Sequence, residues 1–313
     1  MLRNYTMNSV KKLIINADDL GFSPAVNAAI VNGAAAGNIT AASLMVNMPF
    51  AEEAAQQVQS YCSDLSLALH FTLTSGKPVS QPSKIPLLIN SQGMFRWGFL
   101  GLIQVLLSKK RDPFLQQIQT EFSSQIRRMD ELAAKYRLHF DHLDSHQHVH
   151  VISGIFELLQ NEAEKRNLSL RIPRENFCSF KRIIKRFRSW FPQGFAKRAI
   201  LNHYLKYTKQ EIGYFGILES GKMDEYSLQE IIHVLDSNHV NFNRYEINSH
   251  PSDFSVSTND NSLCCSVGDY YFHYSPQRVK EFQALQNAKF QDAIKKYNIK
   301  LTGFPRMKIE PIF

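Results

Sequence analysis

The sequence predicts an α/β protein, a distorted (β/α) barrel of about seven parallel strands. Strand-like apolar runs alternate with helical patterns along most of the 313 residues, and this alternation favours a parallel sheet. Polar residues suited to chemistry also follow several different strands, as is typical of (β/α) barrels. An open doubly wound sheet would concentrate such residues near one switch point, and its glycine fingerprint is absent.

The predicted strands and helices alternate along most of the chain. Strand-like runs lie at 12–16, 39–46, 65–70, 139–143, 168–172, 243–247 and 298–302. Helical patterns lie at 24–36, 50–60, 113–136, 154–166, 227–237 and 276–297. Ser23 before Pro24 and Ser275 before Pro276 are typical helix starts, with a capping side chain followed by proline at the first helical position.

Three stretches, 71–112, 174–226 and 251–274, fall outside the repeat and are predicted to be insertions over the carboxyl-terminal mouth. We expect residues 1–313 to form a single domain, with a basic helical insertion at about 174–226. The net charge of +8 comes from the stretch between Lys181 and Lys209, which has nine basic residues and no acidic one.

Composition indicates an ordinary globular protein, with 44% apolar and 20% charged residues. The longest mostly apolar run, Trp97–Leu107, is too short to span a bilayer. No signal-peptide pattern precedes the first strand, and the four cysteines form no CxxC pair. We therefore expect free thiols and a cytoplasmic location.

Asp19, His70 and His146 are the predicted ligands of one divalent metal ion, Mg²⁺ or Zn²⁺. Each follows a predicted strand, and two imidazoles with one carboxylate leave room for water on the ion. Such an ion polarises a carbonyl and lowers the pKa of its water, and Asp18 is placed to take the water proton as general base. Taken singly, the aspartates also fit a helix cap and His70 a core histidine; their joint occurrence favours the metal site.

Two further residues complete the predicted site. Arg171, after the fifth strand, is predicted to pair with Asp18 or to hold a substrate hydroxyl; a surface salt bridge is the alternative. His250 has the position expected of a general acid for the leaving group. His148 is not expected to bind the metal, because in an extended segment it would crowd His146 on the same side.

Four motifs give the chain its resemblance to the YdjC/ChbG-like carbohydrate deacetylases. They are Asn16-Ala-Asp-Asp-Leu-Gly-Phe-Ser-Pro24, Leu69-His-Phe-Thr-Leu-Thr74, His142-Leu-Asp-Ser-His-Gln-His-Val-His150 and Glu246-Ile-Asn-Ser-His-Pro251. The resemblance implies a distorted (β/α) barrel that uses a divalent metal to remove acetyl groups from N-acetylated sugars. It also implies that Asp19, His70 and His146 bind metal and that Asp18 is the base. Arg171-Ile-Pro173 resembles the Arg-x-Pro motif whose arginine orients that base.

Finer features resemble the hopanoid-associated HpnK branch, which is linked to deacetylation of N-acetylglucosaminyl lipids. These are Leu44-Met-Val46, Arg171-Ile-Pro-Arg-Glu175, Phe215-Gly-Ile-Leu-Glu-Ser-Gly-Lys-Met223 and the enlarged 174–226 region. The implied substrate is therefore either an N-acetylglucosamine oligosaccharide or a glycolipid.

The basic segment 180–207 has two amphipathic patterns separated by Pro192-Gln-Gly194. Peripheral contact with the inner membrane surface and a solvated helical hairpin both stay open. Nucleic acid is not an expected partner, because no nucleic-acid-binding motif accompanies the charge. A homodimer also stays open.

The favoured function is a metal-dependent hydrolase acting on an N-acetylated amino sugar, with Asp18 as base and His250 as acid. Hydrolysis of another amide or ester is one alternative, since attack on a carbonyl does not demand a sugar. A non-catalytic sugar- or lipid-binding protein on the same fold is the other. The complete set of base, metal ligands and acid favours the enzyme.

Overall fold

In the computed structural model, residues 11–175, 192–206, 208–236, 242–256 and 272–305 are described. They contain one parallel sheet of eight strands. The strands are β1 (Lys12–Leu20), β2 (Ala41–Leu44), β3 (Ser66–Phe71), β4 (Phe140–Ser145), β5 (Ser169–Leu170), β6 (Gly213–Phe215), β7 (Arg244–Ser249) and β8 (Lys300–Leu301).

Seven strands form one continuous path, in the order β5-β4-β3-β2-β1-β7-β6. Every pairing in it is parallel. The eighth strand, β8, pairs with the first residues of β1, where Leu13 faces Leu301. From Asn16 onwards, β1 pairs with β2 instead. The predicted α/β fold of about seven parallel strands is confirmed, as a curled sheet consistent with a distorted barrel.

Helices connect most of the strands. In the described parts of the chain they are α1 (Pro24–Ala35), α2 (Ala51–Tyr61), α3 (Phe99–Leu106), α4 (Arg111–Tyr136), α5 (Ile155–Arg166), α6 (Pro192–Tyr204), α7 (Glu225–Asp236), α8 (Pro276–Gln286) and α9 (Ala288–Lys296). The predicted helix starts are present, because the Ser23 hydroxyl accepts the N–H of Val26 and the Ser275 hydroxyl that of Gln277.

Three local predictions differ from the structure. The single helix expected over 276–297 is two helices, because Asn287 ends α8 and its side chain caps the N–H of Lys289 in α9. Helix α3 lies inside 71–112, a predicted insertion for which the sequence indicated no helix. Strand β6 lies inside the insertion predicted at 174–226 and pairs with β7, so part of that stretch belongs to the sheet.

The core lies between the sheet and the helices. Helix α4 shows how a sequence period produces this packing: Phe114, Ile118, Phe122 and Ile126 recur every fourth residue and are all buried. Phe122 packs edge-on against Phe71 of β3, with ring centroids 5.0 Å apart. Full burial of each such side chain contributes about 1.5–3 kcal/mol, and this holds the helix against the strand that carries His70.

Part of the basic segment lies outside the described residues, namely the first amphipathic pattern at 180–191 and residue 207. The second pattern forms α6, which begins at Pro192; proline at a first helical position loses no hydrogen bond, so it starts this helix. Leu201 and Leu205 pack against Tyr214 of β6. Among the described residues, no helix has the length and apolar character needed to cross a membrane.

Candidate metal and active site

The carboxyl ends of the strands bring all six predicted site residues together. Asp18 and Asp19 come from the end of β1 and His70 from β3. His146, Arg171 and His250 come directly after β4, β5 and β7. Parallel strands end at the same edge of a sheet, so residues separated by more than two hundred positions become neighbours. All six side chains are buried.

Asp18 and Asp19 both enter the site although neighbouring residues of a strand normally point to opposite faces. The backbone of Asp19 has a positive φ of 72°, and the register between β1 and β2 shifts between Ala17 and Leu20. Aspartate tolerates this left-handed conformation better than most residues. The local irregularity is what places two carboxylates side by side.

Asp18 is held by four donated hydrogen bonds. Arg171 binds it through both terminal nitrogens, with Nη1 3.1 Å from Oδ2 and Nη2 3.0 Å from Oδ1. The side-chain amides of Asn16 and Asn248 donate to Oδ1 and Oδ2 at 2.8 and 2.9 Å. Burial alone would raise the pKa of Asp18, but the charges of Arg171, His70 and His250 hold it below its usual range. Asp18 is therefore ionised.

Asp19 uses its two oxygens differently. Oδ1 lies 3.0 Å from His146 Nδ1 and 3.6 Å from His70 Nε2. Oδ2 accepts a hydrogen bond of 2.9 Å from Nη1 of Arg278. Despite its burial, which would raise the pKa of Asp19, the neighbouring histidines keep it well below the ordinary value. One oxygen thus faces the two predicted histidine ligands while the other is occupied by the arginine.

His70 has one ring nitrogen fixed by the protein. Nδ1 donates to Oδ1 of Asp144 at 2.7 Å, so Nε2 faces Asp19 and Asp18. Although burial would lower it, the charges of Asp144 and Asp18 raise the pKa of His70 to about 10. The imidazole of His70 is therefore protonated at neutral pH, and this positive charge lies beside both aspartates.

Arg171 lies among three carboxylates: Asp18, Asp144 at 2.7 Å and Glu246 at 2.8 Å. Burial raises the pKa of Glu246 to about 8, so that carboxyl is mostly neutral at pH 7. Asp18, Asp19 and Asp144 then face the guanidinium groups of Arg171 and Arg278, and the protonated imidazole of His70 supplies the third positive charge.

The residues present fit a bound metal ion. Two buried sets, Asp19–His146–His273 and Asp18–His70–Asp144, each bring three possible ligand atoms within 4.8 Å of one another. A cation bound here would replace the positive charge of the His70 proton beside Asp18 and Asp19, and the carboxylate behind His70 is the usual outer partner of a metal-binding histidine. These Asp and His groups could therefore bind a metal ion.

The histidines after β4 do not form the extended row that the sequence suggested. Residues His146–Val151 form a kinked 3₁₀ segment, interrupted at Gln147 and His148, whose positive φ values of 55° and 58° are not helical. The premise of an extended segment is therefore wrong. His148 Nε2 instead lies 3.4 Å from the Tyr214 hydroxyl, and the prediction that it does not bind metal stays a prediction.

His150 plays a structural part. Its Nδ1 accepts from the Ser145 hydroxyl at 2.6 Å, and its Nε2 donates to the carbonyl of Arg171 at 3.0 Å. This contact ties the end of β4 to the residue that holds Asp18.

His250 approaches Asp18 from β7, with Nε2 3.8 Å from Oδ2. Its backbone N–H donates to Oε2 of Glu281 at 2.6 Å. Burial lowers the pKa of His250 to about 4, so its imidazole is neutral at pH 7 in the free protein.

Sequence reasoning missed the contribution of α8 and the residue before it. Arg278 and Glu281 of α8 contact Asp19 and His250, and His273 Nδ1 lies 3.8 Å from Asp19 Oδ2. None of the three belongs to a recognised motif. Asn16, Asp144 and Asn248 were also given no role, although they lie within the quoted motifs at two-residue spacing from Asp18, His146 and His250.

The family pattern described as YdjC-like protein matches residues 12–296, a range that includes all of these residues. The chain belongs to the YdjC-like protein family. This match covers every strand of the described sheet except β8 and agrees with the resemblance carried by the four motifs. Nothing in it singles out the hopanoid-associated branch.

Two curated relatives and one solved structure are similar to this YdjC-like chain. A carbohydrate deacetylase of Thermoanaerobacter pseudethanolicus is 35% identical over 162 residues, 52% of this chain and 60% of the relative. A chitooligosaccharide deacetylase of Escherichia fergusonii is 32% identical over 163 residues, 52% of this chain and 60% of the relative. The chain thus spans about 60% of the length of these relatives.

The solved structure comes from an Enterococcus faecalis V583 protein named for cellobiose-phosphate cleavage. It superposes with a TM-score of 0.66 at 22% identity, over 94% of this chain and 98% of that chain. At this level of identity the likeness shows a shared fold.

Proposed function

We propose that the protein is a metal-dependent hydrolase that removes the acetyl group from an N-acetylated amino sugar. The proposal rests on the different contacts made by two adjacent carboxylates. Asp18 is held ionised by Arg171, whereas Asp19 turns one oxygen toward His70 and His146. The deacetylase names of the two curated relatives support the reaction class.

Asp19, His70 and His146 would hold the ion. Two imidazoles and a carboxylate favour zinc or another first-row divalent ion over magnesium, which prefers oxygen ligands. When bound, such an ion polarises the acetyl carbonyl and lowers the pKa of water. Asp144 fixes the tautomer of His70 so that Nε2 is the nitrogen available to the ion.

Asp18 would act as the general base. Its carboxylate is ionised at neutral pH and is fixed in orientation by Arg171, Asn16 and Asn248. A base must lie within hydrogen-bond reach of the proton it removes, and Asp18 is adjacent to the residue predicted to bind the ion. Arg171 is then a positioning residue that keeps the base charged and aimed.

His250 would return a proton to the leaving nitrogen. Because burial lowers the pKa of this imidazole to about 4, it must first gain the proton that it gives away. Asp18 Oδ2, 3.8 Å from His250 Nε2, is the group placed to pass on the proton taken from water. The two residues would therefore work in sequence, one removing a proton and the other delivering it.

The proposed substrate is an N-acetylglucosamine oligosaccharide or a glycolipid carrying the same sugar. Peripheral membrane contact through 180–207 and a homodimer remain predictions, as does the single-domain organisation.

The deciding experiment measures acetate release by zinc-loaded protein from chitooligosaccharides, N-acetylglucosaminyl lipids and simple acetyl esters. Asp18→Asn protein serves as the matched control. The proposal is supported if wild type releases acetate from the sugar substrates and Asp18→Asn does not. Release from esters only would indicate a different hydrolase, and sugar binding without release would indicate a non-catalytic binding protein.

A further inference from the structure

Arg278 lies at the site without belonging to any of its motifs. It sits in the first turn of α8 and is fully buried, with 0% of its surface exposed. Its Nη1 donates a hydrogen bond of 2.9 Å to Asp19 Oδ2. The same nitrogen lies 3.0 Å from Nδ1 of His273, which accepts from it because a guanidinium only donates.

His273 is held in one orientation. Its ring stacks on Phe22 with centroids 3.3 Å apart and an interplanar angle of 11°. It also lies nearly parallel to the ring of His146, at 6.0 Å. Asp19, His146 and His273 together form a set whose ligand atoms lie within 4.8 Å of one another. By donor type alone, this set suits a divalent ion as well as Asp19, His70 and His146 do.

A second ion at this set would compete directly with Arg278. Its Nη1 already lies at hydrogen-bond distance from two of the three ligand groups, Asp19 Oδ2 and His273 Nδ1. A guanidinium nitrogen and a divalent ion cannot share one position, and the guanidinium cannot lose its charge in a protein. With Oδ2 taken, Asp19 has only Oδ1 to offer to His70 and His146.

We propose that Arg278 occupies a second cation position, between Asp19 and His273, and thereby restricts the site to a single metal ion. It is a positioning residue that makes Asp19 a one-oxygen ligand directed at His70 and His146. The inference rests on the metal site of the proposed function. Arg278 lies outside the four motifs, and its position explains why the site would bind only one ion.

The test is the number of ions that the protein binds, measured by zinc titration calorimetry and by elemental analysis after gel filtration. Wild type is expected to hold a single Zn²⁺. Arg278→Met, which keeps side-chain bulk but removes the charge, is expected to hold a second ion. Arg278→Lys keeps the charge and should hold one. Lys280→Met, which removes an exposed positive charge from the same helix, is the matched control and should also hold one.

His273→Phe keeps a ring to stack on Phe22 but has no ligand nitrogen. Added to Arg278→Met, it should abolish binding of the second ion. The single variant His273→Phe should still bind one ion, with the Co²⁺ absorption spectrum of wild type. This variant tests the inference even when Arg278→Met fails to fold. Loss of the ion in His273→Phe would overturn the inference, as would a folded Arg278→Met protein that still binds only one ion.

These outcomes are separate from failure of the proposed function. A wild-type protein that takes up no divalent ion would remove the metal site itself, and the role of Arg278 with it. A wild-type protein that binds one ion but releases no acetate would overturn the proposed reaction while leaving the role of Arg278 to be decided by the stoichiometry.

Discussion

Oδ1 of Asp144 accepts the Nδ1 proton of His70 at 2.7 Å, and the two residues face each other across β3 and β4 in the strand register. The pairing fixes which nitrogen of His70 is available, because Nε2 must then face Asp19. Oδ2 of Asp144 accepts from the Ser43 hydroxyl at 2.6 Å and pairs with Arg171 at 2.7 Å. One buried carboxylate therefore orients a predicted metal ligand and the arginine that holds the predicted base.

Asp144→Asn should weaken zinc binding by about 10–100-fold, the usual cost of losing an outer partner of a metal-binding histidine. The amide is a poorer acceptor for His70 Nδ1–H and cannot pair with Arg171. The measurement is zinc affinity by calorimetry, with circular dichroism to confirm the fold.

Asp141→Asn is the matched control for this change. Asp141 is a buried aspartate on the same strand that also accepts from a histidine, His142, at 2.7 Å. Its Oδ1 additionally accepts from Ser66, away from the site. The control should lower thermal stability and keep zinc affinity. Equal zinc affinity in Asp144→Asn and wild type would contradict the role assigned to Asp144.

Strand periodicity explains why much of the site could be predicted from sequence. Residues two apart on a strand share a face, so Asn16 with Asp18, and Glu246 with Asn248, are visible as inward-facing polar rows. Polar side chains on a strand that is otherwise buried are costly unless they are paired, which is the signal of a site.

Other parts of the site carry no such signal. Asp19 would point away from Asp18 in a regular strand, and the positive φ that turns it inward depends on tertiary structure. Arg278 is 259 residues from Asp19 in the chain. With Glu281 one turn later, its pattern resembles an ordinary exposed ion pair of a helix. Strand β6 is three residues long and begins with glycine, which is too little for a periodic pattern.

Replacement of Asp18 and replacement of Asp19 should affect different properties, turnover in the first case and zinc binding in the second. Asp19→Ala should weaken zinc binding, because it removes the carboxylate shared by His70 and His146. Asp18→Asn should retain zinc and lose about 10²-fold or more in turnover, the usual scale for loss of a general base. Zinc affinity and acetate release, measured on the same preparations, separate the two effects. Near-normal release by Asp18→Asn would show that Asp18 is not the base.

His250→Ala should keep zinc affinity and lose activity according to the leaving group. Amide substrates, whose amines leave poorly without a proton, should lose about 10²–10⁴-fold, whereas an aryl acetate with a good leaving group should lose far less. The check is kcat/KM over a series of acetyl amides and esters. A uniform loss across the series would mean that His250 only binds substrate.

His150 should make the protein sensitive to mild acid through its fold. Burial lowers the pKa of His150 to about 4, against roughly 6.5 in an unfolded chain. Between these two pH values the unfolded chain binds the proton and the folded protein does not. The contribution of His150 to the free energy of unfolding is therefore complete above pH 6.5 and is lost as the pH falls toward 4. From pH 7 to pH 5 this group alone should lower the free energy of unfolding by about 2 kcal/mol.

His150→Gln tests this contribution, because glutamine can still accept from Ser145 and donate to the Arg171 carbonyl but does not titrate. Urea unfolding at pH 7 and pH 5 should show a loss of stability about 2 kcal/mol smaller in the variant than in wild type. His139→Gln, at an exposed position, is the control and should keep the wild-type pH dependence. If His150→Gln and wild type lost equal stability between pH 7 and pH 5, His150 would have to be protonated in the folded protein at pH 5. That would mean its Nδ1 had given up the Ser145 hydroxyl proton and donated instead.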